Sequence, residues 1–247
     1  LTQKSKESSS PSAIKLETKK DESSLPDQTE NTPFSPSEEK LSKIKESFDS
    51  ENLKETIKLA EEILSGEAEN SIAQDYLNKA LTKMNEAEIF RFLEAGIGSY
   101  KSGNLKQCIL EMQKVLKLDD DHEEAKKYIY LANTAISRKD IERIVQSQRK
   151  AEEEKDLLTF LSLIESQSHK AQKREKAMVL FNGYDDIQSL VSNILVKFIN
   201  TRQATVSFSH LLTAVGKSSG QKSVVFEGVK TWKMQKQGRA WKITGFE

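Results

Sequence analysis

The stretch that decides the fold is the last one, Gly228 to Glu247, GVKTWKMQKQGRAWKITGFE. Trp232 and Met234 alternate with polar residues, Gln237-Gly238 interrupts, and Trp241 and Ile243 alternate with Lys242 and Thr244. A period of two on either side of a glycine-containing turn is the pattern of a β-hairpin with one buried face. This predicts an antiparallel sheet at the C-terminus, with both tryptophans of the chain packed on whatever covers it.

Working backwards, the same period continues. Ala204, Val206 and Phe208 alternate, as do Ile194, Val196 and Phe198, and KSSGQK (217–222) is a turn leading to Val224 and Phe226. The change of period falls in LFNGYDDIQSL (180–190). Before it, Ile141, Ile144, Val145 and Gln148 recur at helical spacing, and Asp156 is placed as the N-cap of a second helix carrying Leu157, Leu158, Phe160, Leu161 and Ile164. Two helices, a Tyr-Asp-Asp corner and an antiparallel sheet ending in GRAWKITGF (238–246) resemble the nuclear transport factor 2-like (SnoaL-like) α+β fold over Ile141–Glu247. The resemblance implies a curved sheet wrapped around helices as a cone, which either holds a small molecule or is filled and used for association.

From Ser37 to about residue 167 the pattern is helical. Leu41, Ile44, Ile57, Ala60, Ile63 and Leu64 mark buried stripes, a long helix is predicted from about Ser71 to Tyr100, and Glu123 to about Ser137 reads as a closing helix. Residues 89–122, IFRFLEAGIGSYKSGNLKQCILEMQKVLKLDDDH, have an internal logic. Gly96 and Gly98 admit a close helix, KSGN turns the chain, Cys108, Met112 and Val115 share a face, and the aspartates end one helix and cap the next. The stretch resembles a tetratricopeptide repeat, with Ala95-Gly96, Tyr100, Gly103, Cys108, Met112, Val115 and Asp119-Asp120 on the pattern positions and departures at Met112, Val115 and the missing proline. That resemblance implies a groove for another protein or peptide, with Tyr100, Lys101, Asn104 and Lys106 as candidate partner-binding residues.

All four prolines lie within residues 1–36, among Ser, Lys, Glu, Asp and Thr. Such a composition cannot bury enough apolar surface to offset the cost of ordering the chain, about 1–2 kcal/mol per residue. The expected organisation is therefore a disordered tether (1–36), a tetratricopeptide-like helical domain (37–137) and an α+β domain (138–247). The chain begins at Leu1 rather than Met, so it reads as a fragment or a processed chain that upstream residues could tether to a membrane, with a cytoplasmic location favoured.

Composition narrows the function. With 38 basic and 38 acidic residues there is no global field for nucleic acid, and the basic run SHKAQKREK (168–176) lacks aromatics. No apolar run approaches the roughly 20 residues of a membrane-spanning helix. The lone Cys108 excludes an intrachain disulfide, and neither His122 nor His169 has a second ligand at metal spacing. No phosphate loop, nucleophile elbow or zinc motif is present, so no cofactor or metal is expected. The expectation is a non-enzymatic interaction protein, with the C-terminal sheet as a homodimer surface. The alternative is a small-molecule-binding or isomerase/dehydratase-like cone, with Tyr184, Asp185 and His210 around an apolar cavity of a few hundred cubic ångströms. His210 continues the face of Val206 and Phe208, while Asp185 and Asp186 are better placed for turn duty.

Overall fold

A computed structural model describes residues 36–247, so the reading of the Pro/Ser-rich start as a tether lies outside the described residues apart from Pro36 itself. Five helices come first: α1 (Pro36–Asp49), α2 (Leu53–Gly66), α3 (Ser71–Lys101), α4 (Leu105–Leu118) and α5 (Glu123–Glu153). Each packs on the next, and α1, α3 and α5 also touch in succession. The sequence stripes explain this: Ile44, Ala60, Ile63 and Ala73 form one buried cluster, and Cys108, Met112, Val115, Ala125 and Ala132 another. Gly96 is a close-approach position, since a Cβ there would meet Met112 Cε at 2.5 Å; Gly98 has open space instead. At the end of α4, Asp119 is the C-cap, but the residue that caps α5 is His122, whose Nδ1 accepts from Ala125 N at 3.4 Å.

α5 corrects one expectation. The closing helix and the helix from Ile141 are a single 31-residue element, continuous through Ser137–Asp140. Its first half packs in the helical cluster through Ala125 and Ala132, its second half in the sheet core through Ile141 and Val145. It ends with Lys155 at φ 56°, where Asp156 N donates to Ala151 O (2.9 Å) and Lys155 N to Glu152 O. This is the hydrogen-bond pattern that closes a helix with one left-handed residue. Lys155 Nζ then donates to Tyr184 O (2.6 Å) and Asp185 Oδ1 (3.0 Å), tying the helix end to the start of the sheet.

After the short α6 (Leu157–Ser162), capped by Asp156 as the sequence predicts, α7 (Gln167–Gly183) takes up the basic run. Four antiparallel strands follow in sequential order: β1 (Tyr184–Asn200), β2 (Gln203–Gly216), β3 (Lys222–Gln237) and β4 (Ala240–Phe246). β1 begins at Tyr184, ten residues earlier than the alternation from Ile194 suggests. Its ladder is interrupted between Asp185 and Gln188 and between Ser192 and Leu195, where Asp186 (φ 46°) and Asn193 (φ 53°) are left-handed. Such bulges bend a strand and shift its phase.

The inward face of the sheet is Val196, Ala204, Val206, Phe208, Trp232, Met234, Trp241 and Ile243, all buried with Ile141 and Val145. Burial of each large side chain stabilises by about 1.5–3 kcal/mol. Residues 163–165 run along β4, where Ile243 N donates to Leu163 O and Glu165 N to Ile243 O, so that edge of the sheet is covered. The domain is thus α+β, and no helix among the described residues is long and apolar enough to cross a membrane.

Candidate functional site

The helical period that buries Val145 and Gln148 carries on to Glu152, in the last turn of α5. Glu152 is only 6% exposed. From β2, the alternation that buries Val206 and Phe208 also buries His210, at 3% exposure. Ser189 of β1 is buried beside them, and Lys230 of β3 shares the inward face of Trp232. Four strand and helix positions, remote in sequence, thus meet between α5 and the sheet.

Their contacts define proton positions. His210 Nε2 lies 2.8 Å from Ser189 Oγ and 3.1 Å from Glu152 Oε2, and Ser189 Oγ is 3.0 Å from the same carboxylate oxygen. Lys230 Nζ is 3.5 Å from Glu152 Oε1. Burial pushes the Glu152 carboxyl up, but His210, Lys230 and Ser189 together outweigh it and leave it below the ordinary carboxylate value. An ionised carboxylate only accepts, so Ser189 spends its proton on Glu152. Both neighbours of Nε2 are then acceptors, which puts a proton on Nε2 and leaves the Nδ1 lone pair available in the neutral ring. Nδ1 is buried and has no hydrogen-bond partner.

The supporting contacts fix this arrangement. Glu153 accepts from Ser189 N (3.1 Å) and from Arg149 Nη1 (2.7 Å), clamping α5 to β1. Opposite His210 in the ladder stands Gly228, and the ring of Phe226 lies over it: a Cβ at Gly228 would sit 3.2 Å from Phe226 Cζ. That ring tilts against the imidazole with centroids 5.5 Å apart. Gln148, one helical turn before Glu152, leaves its buried Oε1 unpartnered.

The residues expected from sequence divide sharply. His210 points inward as predicted. Tyr184 and Asp185 are not brought to it: they pair with Gly216 and Val215 at the start of β1, and Asp185 is exposed, its carboxyl held low by Lys155. The interior around His210 is not the open apolar cavity expected, because Phe208 and Trp241 are buried in it, with Phe198 packed against them. A groove of about 340 Å³ lies elsewhere, between Ile129, Tyr130 and Asn133 of α5 and Phe198, Thr201 and Lys236. In the helical region, Tyr100 packs edge-on against Tyr128 at 5.4 Å, while Lys101, Asn104 and Lys106 are exposed around the α3–α4 turn. Among the described residues no group of three or more His, Cys, Asp or Glu side chains could hold a metal ion.

Glu152, Ser189 and Lys230 are the members of this buried cluster that sequence reading missed. Two of them were signalled: Glu152 lies four residues after Gln148, and Lys230 has the parity of Trp232 and Met234.

No family model and no curated protein matches the chain. Solved structures do resemble it in part. A protein proposed to be a scytalone dehydratase, from Novosphingobium aromaticivorans, is 13% identical over 47% of this chain and 84% of its own, with a TM-score of 0.43. A hexachlorocyclohexane dehydrochlorinase, LinA type 2, is 14% identical over 46% and 84%, at 0.40. A protein of the NTF2-like family from Streptomyces avermitilis, itself proposed to be a dehydratase, is 13% identical over 44% and 92%, at 0.39. The expectation of a non-enzymatic interaction protein rested on the helical repeat together with the lack of paired catalytic groups; the structure brings Glu152 and His210 together as a buried acid–base pair. That expectation, which took such a pairing to be absent, is therefore corrected.

Proposed function

We propose that the C-terminal α+β domain is an NTF2-like cone that binds a small molecule and moves a proton on it, with His210 as the base. One observation carries this reading: His210 has Nε2 held by Glu152 and Ser189 while the buried Nδ1 has no partner. Leaving a buried polar atom unsatisfied costs about 1–3 kcal/mol, so it calls for a reason. A carboxylate behind one nitrogen orients the ring and stabilises the imidazolium formed when the other takes a proton. Glu152 is thus the orienting residue, and Lys230 keeps it ionised. Of the four groups Lys230 is the most exposed, its side chain at 26%. The reaction class is proton abstraction next to an electron-withdrawing group, as in isomerisation or elimination.

The test is deuterium uptake by a panel of small enolisable ketones, incubated with the full chain in heavy water and followed by NMR. Exchange is expected to exceed that in buffer, and to fall by about 10²-fold or more in His210→Ala, the scale of general-base catalysis. Exchange at the buffer rate, or a fully active His210→Ala, would sink the proposal.

The helices α1–α5, packed each on the next, are read here as the tetratricopeptide-like support of this cone. A specific observation also favours self-association through the outer sheet face, where Leu190, Leu195, Ile199, Val224 and Val229 are all more than half exposed. Light scattering is expected to give twice the chain mass, and the monomer mass in Leu190→Lys/Val229→Lys.

A further inference from the structure

One groove of the molecule takes no part in the chemistry of His210: the space of about 340 Å³ between the first half of α5 and the end of the sheet where β1 turns into β2. It stands well away from the buried cluster. Phe198 on its wall pairs with Ala204, six residues along β2 from His210, or about 20 Å at the rise of a strand. Its volume lies at the lower end of the range of small-molecule sites.

Both walls are apolar, with Ile129 and Tyr130 on α5 facing the ring of Phe198 on β1. Tyr130 is 55% exposed, an aromatic surface that the fold leaves uncovered. Positive charge stands around this surface. The Arg138 guanidinium lies 5.8 Å from the centre of the Phe198 ring, and Lys236, which lines the groove, has its Nζ 6.0 Å from the centre of the Trp241 ring. Lys126, at the rim, is already paired with Asp121 and Glu123. Among the described residues neither Arg138 nor Lys236 meets a carboxylate, and no acidic side chain lines the groove. The sequence explains the imbalance, since the chain contains no Asp or Glu from Ile187 to Phe226, nor again from Gly228 to Phe246. Donors are spare as well: Asn133 and Thr201, one on each wall, make no side-chain hydrogen bond among the described residues.

We propose that this groove is a second ligand site and takes a small aromatic carboxylate, with the ring lodged between Tyr130 and Phe198 and the carboxylate set on Lys236. One unpaired cation on the lining calls for one negative charge; a phosphate, at about −1.5 to −2, would exceed it. A carboxylate offers only acceptors, which an ammonium, an amide and a hydroxyl can fill. The site is independent of the proposed base and stands whether or not His210 moves a proton.

The experiment titrates the full chain with 2-naphthoate and with 2-naphthamide, which share a ring system and differ in charge, by calorimetry. The carboxylate is expected to bind about tenfold tighter, the scale of one hydrogen bond to a charged group. Lys236→Met should erase that preference without weakening the amide, and Lys236→Arg should keep it. Tyr130→Ala, at an exposed position, should weaken both compounds together, by about fivefold. The NMR signals of the His210 ring should stay in place throughout. Equal affinity for the two compounds, binding of neither, or a preference that survives Lys236→Met overturns the proposal. So does movement of the His210 signals, which would put the ligand in the cone. Displacement of 2-naphthoate by equimolar hexaglutamate overturns it too, because the groove would then belong to an acidic chain.

Discussion

The helical half and the sheet half bury polar groups in different ways. In the helices, buried polar groups are satisfied by near neighbours: Ser47 Oγ donates to Ile44 O three residues away and meets Thr56 Oγ1, nine residues away, at 2.9 Å. In the cone, Ser189 meets His210 and Glu152 at separations of 21 and 37 residues, and Lys230 meets Glu152 at 78. Local bonds of the first kind form with the helix hairpin itself. Bonds of the second kind exist only once the whole sheet has closed on α5, and they still leave two imidazole nitrogens unsatisfied. Polarity in the first region serves the fold, while in the second the fold serves the polarity.

The largest expected effect tests this contrast directly. Glu152→Ala leaves Lys230 without its carboxylate and should cost about 3–5 kcal/mol, read from urea unfolding; a loss under about 1 kcal/mol would place the cluster with the ordinary surface pairs. The same group sets an acid dependence. Its carboxyl is held below the ordinary value of 4.5, so its contribution is fully present above that value and is lost as pH falls through the lower, folded-state one. Wild type should therefore lose more stability than Glu152→Gln between about pH 6 and pH 3. In the helical half, Ser47→Ala removes the bond to Ile44 O and the contact with Thr56 Oγ1 and should cost only about 1 kcal/mol, because Thr56 keeps its bond to Asn52 O. Smallest is a pair of opposite signs: Gly98→Ala, in open space within α3, should stabilise by roughly 0.5–1 kcal/mol, whereas Gly96→Ala must displace Met112 and should destabilise. Thermal unfolding distinguishes the two.

Much of the fold was legible. The hairpin around Gly238, the Asp156 cap and a long helix from Ser71, predicted to Tyr100 and found to Lys101, all follow from local pattern. β1 was read short because the left-handed residues Asp186 and Asn193 shift its phase, so Ile187, Ser189 and Val191 do not alternate in step with Ile194, Val196 and Phe198. α5 was divided because SRKD looks like a polar break, although Ser137 and Ile141 are both buried at a spacing of four. The site was half legible. His210 stood out as the odd polar residue on an apolar face. Glu152 was hidden in the charged run KAEEEKD, and Lys230 among lysines that do face water, since a charge is identified as buried only when its period is followed past its neighbours.

α5 also has a mechanical consequence. At 1.5 Å per residue its 31 residues form a strut about 46 Å long, with one end set in the helical bundle and the other holding the carboxylate behind His210. A load or a binding event at the bundle therefore acts on the same rod that carries Glu152. Cutting the chain at 137/138 would sever that rod within its helical span.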